Sequence, residues 1–137
     1  MIDTAPTESN LSGLDRKNFQ KNINSKKTDL YILKNALGME VAVTNYGCAI
    51  LSIMVPDKNG KYANVILGHD SIEHVVNSPE PFLSTTVGRY GNRIANGKFT
   101  LYGEEHQLTV NNGPNSLHGG PTGFHARVWD AVQPNES

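Results

Sequence analysis

Two short segments hold the residue types that could do chemistry: Gly88-Arg89-Tyr90-Gly91-Asn92-Arg93-Ile94 and Asn115-Ser116-Leu117-His118-Gly119-Gly120. Their glycines let backbone approach a ligand closely. Arg93 brings a permanent planar cation, Asn92 a donor and an acceptor, and His118 a group that moves a proton near neutral pH. Together these residue types describe a pocket for a small, neutral, hydroxyl-rich molecule. No carboxylate of evident catalytic character stands beside them. Each candidate also has a plainer reading. A lone loop histidine is usually a hydrogen-bonded surface group, an arginine often a salt-bridging one, and an asparagine after glycine is ordinary turn chemistry. Arg89 reads as structural, orienting its loop.

The segments that must position these residues are short apolar runs separated by turn residues. Strands are expected over 29–34, 39–44, 49–55 and 62–67, with Met39, Val41 and Val43 on one face of the second. Asn35-Ala36-Leu37-Gly38 and Pro56-Asp57-Lys58-Asn59-Gly60 are the turns between them. Asp70 is placed to cap a short helix, with Glu73 completing a capping box before Val75 and Val76. Lys98 to Tyr102 and His106 to Val110 read as a hairpin turning at Gly103-Glu104-Glu105, and 127–132 as a last strand around Trp129. Many short strands with frequent turns predict an antiparallel all-β sandwich. Residues 1–28 are polar and read as an arm with one short turn that packs Phe19 on the body; 29–137 form the domain.

Composition narrows the function classes. At 137 residues the chain makes one domain, and its net charge of −1 comes with scattered basic residues. That excludes a nucleic-acid footprint. A single cysteine, Cys48, rules out an internal disulfide framework and fits a reducing compartment. No apolar run approaches the ~20 residues of a membrane span, and no signal-peptide core opens the chain. A cytoplasmic protein is expected. His74, His106 and His125 have no partner at metal-binding spacing, so no metal is expected. Cys48 reads as a small buried hydrophobe. Glu104 and Glu105 read as solvated turn residues. Tyr90 and Trp129 suit core packing or stacking on a flat ligand.

Several motifs occur in order: Asn45-Tyr46-Gly47, Val55-Pro56-Asp57 with Asn59-Gly60, Leu67-Gly68, Asp70-Ser71, Thr86-Val87-Gly88-Arg89, Asn92-Arg93-Ile94, Asn111-Asn112-Gly113-Pro114-Asn115, Leu117-His118-Gly119-Gly120, then Phe124 with Val128-Trp129-Asp130. That series resembles the N-terminal part of the aldose 1-epimerase (galactose mutarotase) family, from about Phe19 onward. His69 stands where the resembling motif has an aromatic residue.

The resemblance implies a β-supersandwich of which the front part is present, and an enzyme that interconverts the α and β anomers of free aldohexoses. By the same resemblance Asn92 and Arg93 are the sugar-binding pair. His118, 25 positions after Arg93, is the first active-site histidine, near the ring oxygen and anomeric carbon. The chemistry requires no cofactor or metal. The family's second histidine, its substrate-binding aspartate and its glutamate base lie further on. The 137-residue chain is therefore expected to be a truncated piece, inactive alone. Three alternatives stay open: a non-catalytic carbohydrate-binding module, a structural remnant, and an epimerase of phosphorylated sugars with Arg89 and Lys98 as extra cations.

Overall fold

Apolar runs too short for helices, each closed by a turn residue, leave antiparallel pairing as the way to satisfy the backbone. The computed structural model describes residues 10–134. A 3-10 turn at Arg16–Phe19 precedes strands β1 (Asn22–Ile23), β2 (Lys26–Lys27), β3 (Leu30–Lys34), β4 (Glu40–Thr44), β5 (Ala49–Pro56) and β6 (Tyr62–Asn64). Helix α1 (Ile72–Val76), β7 (Arg93–Ile94), a turn at Ala95–Gly97, β8 (Lys98–Leu101), β9 (Glu104–Gln107), β10 (Ser116–Leu117) and a turn at Phe124–Ala126 follow. Strands β3-β4-β5-β6 make one antiparallel sheet, and β1-β2, β7-β10 and β8-β9 make three two-stranded ones. The antiparallel all-β class expected from the sequence is the one observed.

Alternation in β4 places Met39, Val41 and Val43 together, as expected, but that face is only half-buried. The fully enclosed face carries Glu40, Ala42 and Thr44, each 0% exposed. Strand β5 slips its register between Ala42 and Val43 of β4, and this bulge turns both Leu51 and Ser52 inward. Phe19, Leu30, Ala49, Ile72 and Val75 complete the core. The buried Glu40 carboxylate accepts the Leu11 and Ser12 amides at 2.9 and 3.2 Å, and Lys34 Nζ lies 3.6 Å away. A buried carboxylate persists only with such partners. It fastens residues 11 and 12 to the sheet.

Residues 1–9 of the expected arm lie outside the described residues. Of the remainder, Phe19 is 0% exposed, and Arg16 binds Asp29 through two nitrogens at 2.7 and 2.6 Å. Burial pushes the Asp29 carboxyl up, but the bonds from Arg16, the Leu30 amide and Gln20 outweigh it and hold the group below its ordinary range. Asn45 is a buried hub. It donates through Nδ2 to the Lys27 and Trp129 carbonyls at 3.0 and 2.9 Å and accepts the Asp29 amide at 2.9 Å.

Four local expectations need correction. Ser71, not Asp70, caps α1, its hydroxyl accepting the His74 amide at 3.3 Å. Asp70 instead meets His74 Nδ1 at 2.6 Å, one helical turn on. The hairpin turns at Tyr102-Gly103, with φ of 52° and 85°, as a two-residue loop requires. Glu104 and Glu105 consequently lie in β9, where Glu105 meets Lys98 at 2.8 Å. Strand β6 stops early because the Asn64 side chain itself takes the Ile53 and Ile66 amides, at 2.9 and 3.2 Å. The run 127–132 makes no strand but a single bridge between Val128 and Tyr46. It lies against the turn between β4 and β5, which offers only a few backbone groups.

Candidate functional site

Pairing of β7 with β10, Ile94 opposite Ser116 and Arg93 opposite Leu117, puts the two glycine-rich segments side by side. Asn111 prolongs the junction, its side chain accepting the Leu117 amide at 2.7 Å and donating to the Leu117 carbonyl at 3.1 Å. Gly119 is where the segments come closest. Its φ is +86°, and a methyl there would stand 1.9 Å from the Gly88 carbonyl oxygen. Only glycine fits that approach.

The three candidate residues meet in one network. The His118 amide donates to the Asn92 carbonyl at 3.0 Å. The Asn92 amide donates in return to His118 Nδ1 at 2.8 Å. With Nδ1 accepting, the proton of the neutral imidazole sits on Nε2. Arg93 donates from Nε to Asn112 Oδ1 at 2.8 Å and from Nη1 to Asn92 Oδ1 at 3.1 Å. Two side-chain carbonyls thus fix the plane of the guanidinium and leave further N–H groups for a ligand. Asn92 and His118 both hold positive φ, 65° and 54°. Asparagine and histidine are among the non-glycine residues that take this backbone most readily.

Beside this network is an open hollow of about 1040 Å³. Arg93, Arg127, Tyr90, Phe99, Phe124 and Trp129 line it with the backbone of Gly119 and Gly120. Of the three candidates Arg93 is the one on its wall. Arg89 lies over the Phe124 ring, 5.4 Å from its centroid, which suits a loop-orienting role. Tyr90 is 56% exposed rather than core, whereas Trp129 packs edge-on to Phe124 at 5.0 Å. Cys48 is half-buried with its thiol pushed up by burial.

Residue types alone did not point to Phe82 and His125. The Phe82 ring lies 4.7 Å from that of His118 and 4.5 Å from that of His125. His125 is buried, and its Nδ1 has no hydrogen-bond partner. Burial, and secondarily His118, push its pKa below the ordinary value. Nothing in the spacing announces these contacts, since they join residues 36 and more positions apart. Asn112 could have been found, because its motif supplies a side-chain acceptor near Arg93. Among the described residues no group of three His, Cys, Asp or Glu could hold a metal ion, and no helix is long and apolar enough to cross a membrane.

A pH effect follows from His125. The folded chain binds a proton on this ring less readily than the unfolded chain, whose histidine titrates near 6.5. As pH falls through that value the unfolded state gains protons first, so stability falls. Urea midpoints are expected to drop between pH 7.5 and 5.5, and less so in His125→Phe. The lowered carboxylates, Asp29 and Asp70, titrate below this window. Equal pH slopes for the two proteins would refute the assignment.

A family model described as aldose 1-epimerase matches residues 29–137. The chain is 44% identical to galactose mutarotase of Bos taurus over 91 residues, 66% of this chain and 26% of the relative. Against aldose 1-epimerase of Escherichia coli (strain K12) the identity is 39% over 107 residues, 78% of this chain and 31% of that one. Among solved structures, the GalM/aldose epimerase homologue from C. elegans aligns with a TM-score of 0.74 and 33% identity, over 80% of this chain and 33% of that chain. Galactose 1-epimerase from Lactobacillus acidophilus NCFM gives 0.67 and 32%, over 83% and 33%. The chain spans about a quarter to a third of the length of these relatives.

Proposed function

Because this chain belongs to the aldose 1-epimerase family, we propose that it forms the sugar-holding front of an enzyme that interconverts the α and β anomers of free aldohexoses such as glucose and galactose. Residues 29–137, the span that the family model matches, are the N-terminal part of the β-sandwich domain. The observation that carries the reading is the hydrogen-bonded network joining Asn92, Arg93 and His118 across two loops.

Mutarotation needs a base to take the anomeric hydroxyl proton while an acid protonates the ring oxygen. The ring opens to an aldehyde, the bond between the first two carbons rotates, and reclosure gives the other anomer. Arg93 and Asn92 hold pyranose hydroxyls in this scheme. His118 presents Nε2–H near the ring oxygen, where it stabilises the charge that develops as the ring opens. By the family resemblance, the glutamate base and the histidine acid come from residues outside the matched portion. The substrate is a neutral small molecule rather than a nucleic acid, and the setting is the cytoplasm, in keeping with a net charge of −1 and one cysteine.

Polarimetry tests the reading. The protein isolated from the cells that make it is expected to speed the approach of α-D-glucose or α-D-galactose to rotational equilibrium. The 137-residue chain alone is expected to match a heat-denatured control. Sugar binding by the isolated protein without any acceleration would replace the enzyme with a carbohydrate-binding module.

A further inference from the structure

We propose that Phe82 is a positioning residue for His118: its ring clamps the imidazole so that Nδ1 stays on the Asn92 amide and Nε2–H is the face offered to the sugar. The inference rests on His118 being an active-site group, and it adds a residue that touches no substrate.

The hydrogen bond alone does not secure the ring. Asn92 is exposed and His118 half-buried, so water competes for the amide. Rotation of the imidazole about its second side-chain torsion would exchange Nδ1 for a carbon and turn Nε2 elsewhere. The Phe82 ring opposes that rotation. It meets His118 at 65° between planes and 4.7 Å between centroids, an edge-on contact.

Phe82 is itself held from a second direction. His125 lies 4.5 Å from it, tilted by 59°, and is 6% exposed. That ring packs there although its Nδ1 forgoes a hydrogen bond. Gly123 makes the fit possible, since a methyl at that position would stand 2.8 Å from the His118 carbonyl oxygen and 3.2 Å from His125 Nδ1. A buried imidazole used as packing material is a costly choice unless its place matters. Enclosed where burial disfavours its charged form, it backs Phe82.

Long-range proton–nitrogen NMR of the histidine rings in the 137-residue chain reads the tautomer directly. Wild type is expected to show a single His118 form at pH 7.5, with unprotonated Nδ1 and protonated Nε2. Phe82→Leu should lose that signature, with the two ring nitrogens averaging, while the backbone amide spectrum stays that of the folded chain. Phe82→Tyr should restore it. Should Phe82→Leu fail to fold, the wild-type spectrum and Phe82→Tyr decide: a protonated Nδ1, or a mixture of forms in either, overturns the proposal. So does an unchanged His118 signature in folded Phe82→Leu. These readouts need no turnover, so failure of the clamp is distinct from absence of mutarotase activity.

Discussion

In the active protein, His118→Ala is expected to lower the kcat/KM of mutarotation by about 10²–10³-fold, the range for removing one donor aimed at a developing charge. The size follows from geometry. Nδ1 is committed to the Asn92 amide at 2.8 Å, so the Nε2 proton is aimed rather than free to wander. Removing the ring takes away the donor and leaves the Asn92 amide without its acceptor. The loss should fall on kcat more than on KM, because the charge on the ring oxygen develops only as the bond breaks. Arg93→Ala should show the opposite balance, since hydroxyl contacts hold ground state and transition state alike. A His118→Ala loss under about fivefold, the scale of one ordinary hydrogen bond, would remove His118 from the chemistry.

Glu40→Ala is expected to cost about 3–5 kcal/mol of folding stability, measured as the urea midpoint at constant slope. Its carboxylate is fully enclosed and serves the Leu11 amide, the Ser12 amide and Lys34 together. Truncation leaves the Leu11 and Ser12 amides without their shared acceptor and opens a cavity beneath β4. A total stability of about 5–15 kcal/mol makes this a large share. Glu40→Gln keeps one acceptor and the shape, and should lose less than half as much. Equal losses for the two variants would show that packing, not hydrogen bonding, holds residues 11 and 12.

Glu40 also marks what a sequence can and cannot disclose. The alternation over 39–44 revealed a strand, and Asn35-Gly38 and 56–60 revealed the turns that fold it. The same alternation put Met39, Val41 and Val43 on one face, as observed, but it did not disclose that the enclosed side is the one bearing Glu40 and Thr44. The partners that let a carboxylate lie there come from 28 and 29 positions away, beyond any local pattern. The strands 62–67 and 127–132 were overdrawn for a similar reason, because a side chain or a turn took up the backbone groups that a ladder would use. Residue chemistry singled out Asn92, Arg93 and His118, and the family motifs said why they belong together. Phe82 and His125 stayed hidden because aromatic packing has no spacing of its own.

Asn45 joins the first sheet to the last described segment, and that fixes an order of events during synthesis. Strands β3 to β5 need only near neighbours and can pair as soon as they leave the ribosome. The Trp129 carbonyl that the Asn45 amide donates to is made 84 residues later. At about 5–20 residues per second, that is a wait of roughly 4–17 s. Lys26 and Ile32 wait longer, for Asp130 and Gln133 at separations of 104 and 101. For those seconds the nascent chain can hold a formed sheet in which Asn45 has its Lys27 and Asp29 partners but still lacks the Trp129 carbonyl that ties the later segment down.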